Sequence, residues 1–199
     1  MPRPTGVNAI DTPARILDVA ERLVQRRGFN GFSYADVAKE LKITTASLHY
    51  HFAGKGALGE ALIQRYSERF FAALAVIDAK ETDAAVKLQA YADLYAGVLH
   101  GKRLCLCGML AAEYQTLPKP MRDAVLRFFD ANEEWLAKVL SEGRETLTYS
   151  GPPTETARML LSGLEGAMLV ARPYDDVARF KSAADALIGN LTAREALTA

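Results

Sequence analysis

The sequence predicts an all-α fold, and three observations carry that reading. Apolar residues recur at three- and four-residue spacings along nearly the whole chain, no run of alternating β-branched residues lies between turn dipeptides, and capping residues stand at the ends of the periodic segments. Of the 199 residues 50% are hydrophobic and 24% charged, the balance of one compact unit or two small ones, so a real core can be buried. The longest apolar run, Phe70 to Ile77, falls far short of the roughly 20 residues of a membrane helix, and Glu165 interrupts the other candidate, MLLSGLEGAMLVA. No membrane partner is therefore expected. The first residues, MPRPTGVNAIDTP, carry no apolar leader segment and the chain has only two cysteines, so the cytoplasm is the expected compartment.

The elements follow in order. Thr12 as N-cap and Pro13 open a first helix that buries Ile16, Val19, Ala20 and Leu23 and ends at Gly28. Ser33, three residues ahead of Asp36, forms a capping box for a second helix, Tyr34 to Leu41. Leu41-Lys42-Ile43 makes a tight connection to Thr44 and a third short helix ending near His51. The turn at Ala53-Gly54 starts a long helix from Lys55 to about Asp78. Further helices are expected from Thr82 to His100, from Leu104 to Thr116, from about Pro120 to Leu147, from Thr154 to Arg172 and from Asp175 to about Thr192. The domain division is 1–54 and 55–199.

Charge is uneven along this neutral chain. Residues 1–55 hold eight Lys/Arg against five Asp/Glu, a net of +3, which hints at a polyanion partner. Two short helices joined by a tight turn, the second opening with Thr44, Thr45, Ala46 and Ser47, have the shape of a helix-turn-helix whose second helix enters a DNA major groove. Small residues let the backbone approach base edges, and the methyls of Ala46 and the threonines suit a thymine methyl. Leu48 and Phe52, at i and i+4, face inward. His49, Tyr50 and His51 are left to face phosphate, and Lys55 adds a cation at a helix N-terminus.

The string AERLVQRRGFNGFSYADVAKELKITTASLHYHFAGKGAL resembles the DNA-binding region of the tetracycline-repressor (TetR) family of bacterial regulators over roughly residues 12–62. The likeness rests on Ala20, Gly28, Phe29, Ser33, Val37, Ala38, Leu48, Tyr50-His51-Phe52, Lys55 and Leu58. It implies DNA contacts from Thr45, Ala46, Ser47, His49, Tyr50 and Lys55, with Ser33 and Tyr34 gripping phosphate. Three positions depart from the family pattern: His49 stands for a Tyr, Lys42 for the turn Gly, and Gly56 for an acid. The resemblance further implies that residues from about 80 onward form a ligand-binding and dimerisation domain.

Within that second domain the last two helices are the dimer candidates. Ala157, Ser162, Gly163, Gly166 and Ala167 permit close approach, and Leu160, Leu164, Met168, Phe180, Ala184, Leu187 and Leu191 supply apolar area. The alternative is that these residues serve only the internal core. For an effector pocket the candidates are Tyr91, Tyr95, Leu99, Cys107 and Leu110, together with Tyr114, Phe128, Phe129, Trp135 and Met168. Glu165 stands alone in an apolar stretch, where a solvated or salt-bridged carboxylate is the commoner outcome and a buried one facing a pocket the other.

Cys105 and Cys107, two apart on a helix, face different sides, which disfavours a disulfide between them. Buried inert thiols are the favoured reading, against a reactive thiol whose pKa is lowered by His100, Lys102 or Arg103. A metal site at His100, Cys105 and Cys107 lacks a fourth ligand, and no metal or cofactor is expected. No zincin, di-iron, phosphate-loop or nucleophile-elbow motif occurs, so an enzyme is not expected. The expected protein is a homodimer that binds a palindromic operator in double-stranded DNA and releases it on binding a small-molecule effector. The alternative is a dimeric thiol- or small-molecule-sensing helical protein whose helix-turn-helix is silent.

Overall fold

The computed structural model describes residues 12–192. The leader reading of residues 1–11, Arg3 and Asp11 in the charge count, and the chain beyond 192 lie outside the described residues. Among those described there are nine α-helices and no strand: α1 (Thr12–Arg27), α2 (Tyr34–Leu41), α3 (Thr45–His51), α4 (Lys55–Lys80), α5 (Ala84–His100), α6 (Leu106–Ala112), α7 (Lys119–Glu142), α8 (Pro153–Ala171) and α9 (Val177–Thr192).

Local chemistry sets most of these boundaries. Ser33 and Asp36 form the expected capping box on α2, and the Thr44 side chain accepts the Ser47 amide to cap α3. Gly28 adopts φ +81 just past α1, a left-handed angle that L side chains resist. Lys42 closes α2 at φ 56, ψ 43, so the non-glycine residue takes the left-handed angle itself, a strain of about 1 kcal/mol. Asp83 rather than Thr82 caps α5: its carboxylate accepts the Val86 amide at 3.0 Å.

Three expected helices change their limits, two of them for a tertiary reason. The helix expected over 104–116 is only α6 followed by a 3-10 turn, Tyr114–Thr116. At its start the Leu104 amide bonds to the Gln25 carbonyl and the Cys105 amide meets Met168 Sδ, so both are used outside a helix. At its end the Glu113 carboxylate is drawn to the Phe29 and Asn30 amides just past α1, and Glu113 leaves helical geometry. The helix expected to reach Leu147 ends at Glu142, because the chain turns to bury Leu147 and to bond the Thr148 amide to the Leu191 carbonyl. The last helix begins at Val177, not Asp175, after a 3-10 turn and a left-handed Asp175.

One continuous buried cluster runs through the molecule. Ile16, Val19, Ala20 and Leu23 of α1 join Val37, Ala38, Leu48 and Leu58 to make the core of the N-terminal module. The 26 residues of α4, roughly 39 Å long, pack against that module at one end and α5 and α7 at the other. Charged bonds reinforce the first junction: Arg65 bonds Asp18 at 2.8 Å and Glu21 at 3.0 Å, and Arg69 also meets Glu21. Beyond it α7 packs on α8, α8 on α9 and α9 on α5. No described helix is long and apolar enough to cross a membrane.

Candidate functional site

The exposed face of the module is built on α3. Leu48 is fully buried and Phe52 half-buried, which anchors the helix and turns Thr45, Ala46, His49 and Tyr50 to solvent. Tyr50 is 86% exposed and its ring meets His51 edge-on at 5.1 Å. Exposed Lys39 and Lys42 flank this face. Thr44 and half-buried Ser47 close the N-terminal turn of α3.

Three of the expected phosphate groups are already engaged. The Ser33 hydroxyl donates to Asp36 Oδ2 at 2.7 Å, and the hydrogen bonds from Ser33 hold the Asp36 carboxyl below its usual range. The Tyr34 hydroxyl donates to the Phe52 carbonyl at 3.0 Å while its ring packs on His49 at 4.7 Å. Lys55 turns inward rather than to solvent: its ammonium donates to the Phe32 carbonyl and lies 4.7 Å from the Phe29 ring and 4.4 Å from the Phe32 ring. Burial lowers its pKa, against the opposing charges of Glu113 and Asp36.

The residues expected around an effector mostly form packed core. Tyr91 and Tyr95 are buried with their hydroxyls 3.1 Å apart, and the Tyr91 hydroxyl donates to Asn132 Oδ1 at 2.8 Å. Trp135 stacks on Tyr91 and donates to Asp78, while Phe128 packs among Tyr66, Phe70 and Phe71. Leu99, Cys107, Leu110 and Met168 are buried too, and Tyr114 sits beside Arg122. These hydroxyls have found partners inside the protein, as buried polar groups must.

A cavity of about 460 Å³ opens instead between α6, α7 and α8. Cys105, Gly108, Met109 and Ala112 form one wall, Phe129 and Glu133 the second, and Leu161, Ser162, Glu165 and Leu169 the third. Of the ten expected residues only Phe129 lines it. Glu165, the lone acid of the apolar stretch, is neither solvated nor salt-bridged: its carboxylate is buried and Oε1 has no hydrogen-bond partner. Burial pushes its pKa up to about 7, offset in part by a hydrogen bond from the Cys105 thiol. Gly108 makes room for it, since a Cβ there would stand 2.5 Å from Glu165 Oε2. The isolated acid was the sequence signal that pointed here; aromatic spacing pointed to the core.

Both cysteines are free and buried, with Cys105 at the N-cap of α6 and Cys107 in its first turn. Burial, then the charge of Glu165, pushes both thiols well above their usual range. The three basic side chains expected to activate them are engaged or exposed elsewhere: Lys102 pairs with Asp175, Arg103 bonds Gln25, and His100 faces solvent. A larger recess of about 820 Å³ between α4 and α7 is lined by Glu60, Glu68, Lys119, Asp123 and Arg127 and is a charged surface groove.

The wall helix α6 also reaches the module. Glu113, one residue past it, accepts the Phe29 amide at 2.5 Å and the Asn30 amide at 3.2 Å, and Asn30 donates to Thr116 at 2.8 Å. Gly28 permits this approach, because a Cβ there would lie 2.7 Å from Glu113 Oε1.

Most of the apolar residues expected on a dimer face of the last two helices pack within the chain. Leu160, Leu164, Met168, Phe180, Ala184 and Leu191 are buried within the one chain, and Leu187 packs beside Gly163. The apolar residues left exposed on α8 are Met159, Leu169 and Val170, at 49%, 62% and 56%, with Ser162 and Gly166 between them.

A small helix-turn-helix unit carried on a larger helical body defines the class as that of DNA-binding regulators. Comparison with known proteins agrees: residues 16–62 match the family described as bacterial regulatory proteins, tetR family, and residues 84–187 the tetracyclin repressor-like C-terminal domain. The chain belongs to the TetR family. It is 28% identical to the HTH-type transcriptional repressor DhaR of Mycobacterium sp. (strain GP1), over 79% of this chain and 82% of that protein. Against the HTH-type transcriptional regulator LmrA of Bacillus subtilis (strain 168) it is 27% identical, over 81% and 86%. Among solved structures, a TetR-family regulator from Agrobacterium tumefaciens superposes with a TM-score of 0.89 at 30% identity, covering 94% of this chain and all of that one.

Proposed function

We propose that this chain is a homodimeric, ligand-responsive transcriptional repressor that reads a palindromic operator with α3. The observation that carries the reading is the exposed row Thr45, Ala46, His49 and Tyr50 on a helix whose opposite side is locked into the core by Leu48. Thr45 and Ala46 meet base edges; His49 and Tyr50 meet phosphate, with Lys39 and Lys42 supplying charge. Thr44 and Ser47 order the N-terminal turn, and Ser33, Tyr34 and Lys55 position the helix through the bonds they make within the module. The relatives support regulation, and the name of DhaR supports repression.

A second copy covers the exposed apolar face of α8, whose Ser162, Gly166 and Leu169 also line the cavity, so the partner closes one side of it. The effector enters the cavity between α6, α7 and α8, and α6 carries the response to α1 through Glu113. The test is fluorescence anisotropy of the protein with DNA flanking its own gene, with random duplex as competitor. The wild type binds at nanomolar level through the competitor, and Thr45→Ala relaxes base preference by about 1–3 kcal/mol at one position. Binding no tighter than to random DNA, there and after selection from random duplexes, would leave the silent helix-turn-helix as the better account.

A further inference from the structure

The cavity between α6, α7 and α8 has a one-sided electrostatic character. Its walls are apolar apart from the Cys105 thiol, the Ser162 hydroxyl and two carboxylates, Glu133 and Glu165, and no Lys or Arg lines it. Glu133 is already bridged to Arg158 at 3.0 Å. Glu165 has no salt-bridge partner: the Cys105 thiol meets its carboxylate, and Oε1 is buried and unpartnered. The other titratable groups that bear on it are Tyr66 on α4, Tyr91 and Tyr95 on α5, and the two thiols of α6, all held neutral by burial. A buried acceptor without a donor costs about 1–3 kcal/mol, more when charged, so the site is incomplete as it stands.

We propose that this cavity takes a small amphipathic ammonium ion, a primary or secondary amine on an apolar body, whose N–H groups pair with the Glu165 carboxylate. An anion meets the Glu165 carboxylate, while Arg158, already paired with Glu133, does not line the cavity. A neutral guest leaves Glu165 either protonated or without an opposite charge. A protonated amine supplies charge and donors together, and about 460 Å³ falls within the range of small-ligand pockets. Phe129 and Leu161 then cover its apolar body. The carboxyl gives up its proton on binding, because only the ionised form makes the pair. This deepens the effector reading above and rests on it only for the claim that the guest controls DNA binding.

The probe is 2-phenylethylammonium, with 2-phenylethanol and phenylacetate as neutral and anionic counterparts, titrated calorimetrically into the full chain near pH 7. The amine binds, the alcohol binds at least about tenfold more weakly, and phenylacetate does not bind. Repeating the titration in buffers of different ionisation enthalpy shows a fraction of a proton released. Glu165→Gln weakens the amine at least about tenfold and leaves the alcohol unchanged. Gly108→Ala keeps the charge but displaces Glu165 Oε2, so it weakens the amine more than the alcohol and decides the matter if Glu165→Gln does not fold. Alcohol binding equal to amine binding, or amine binding untouched in both variants, overturns the proposal. Operator binding by the same preparations separates the two claims. Sound DNA binding without amine binding overturns the cation site and leaves the regulator standing. Amine binding that does not weaken the operator complex upholds the cation site and removes this cavity from the switch.

Discussion

Glu165 and Lys55 are the two charges whose surroundings most change their roles. With an ordinary carboxyl value of 4.5 and a folded-state value of about 7, the folded chain keeps a Glu165 proton that the unfolded chain releases. Stability contributed by that difference is present below about pH 4.5, falls as pH rises, and is lost above about pH 7. Glu165→Gln removes the slope. The difference in unfolding free energy between variant and wild type is therefore expected to shift in the variant's favour by roughly 2–3 kcal/mol between pH 4.5 and pH 8, read from denaturant melts. A pH-independent gap contradicts the buried carboxylate. Lys55 behaves as a staple from α4 to the Phe29–Phe32 loop. Lys55→Ala is expected to destabilise the module by about 1–2 kcal/mol while leaving the salt dependence of DNA binding unchanged. A slope reduced by about one unit would return Lys55 to the phosphates.

At the scale of the element, α6 joins the two halves of the account. Four of its seven residues line the cavity, and the next residue, Glu113, holds the Phe29 and Asn30 amides at the exit of α1. On the proposed reading, a ligand that shifts α6 pulls on the module through Glu113. Glu113→Ala is expected to keep effector binding and operator binding each within a few-fold of wild type. It should also reduce the effector-induced loss of operator affinity from about 5–150-fold toward none, measured as the ratio of operator Kd with and without effector. An unchanged ratio places the coupling in α4 instead. The same element shows what a sequence reveals. Ser33 with Asp36, Thr44, and Gly28 were legible because cap and partner lie within a few residues. The limits of α6 were not, since they are set by Gln25, Met168 and the Phe29 and Asn30 amides, all distant in sequence. Tyr91, Tyr95, Trp135 and Phe128 have the same helical spacing whether they line a cavity or fill one, so only packing could place them in the core. Lys55 read as an outward cation because nothing local announces that Phe29 and Phe32 enclose it.

For the whole molecule, one α3 is too short a reader to select a site alone. Seven residues span about 10 Å, a few base pairs of groove. On the proposed reading, specificity depends on two copies held at a fixed distance, and the exposed Met159, Leu169 and Val170 face of α8 is the surface proposed to join them. Two-fold symmetry requires half-sites about 34–36 Å apart on one face of the duplex. The measurement that tests this most directly is the affinity for the selected operator before and after insertion of five base pairs between its half-sites. A half-turn insertion carries the second half-site to the opposite face of the duplex. Affinity is expected to fall to the level of random DNA, with two chains per duplex on the uninterrupted site; an affinity unchanged by the insertion would contradict recognition by two coupled copies.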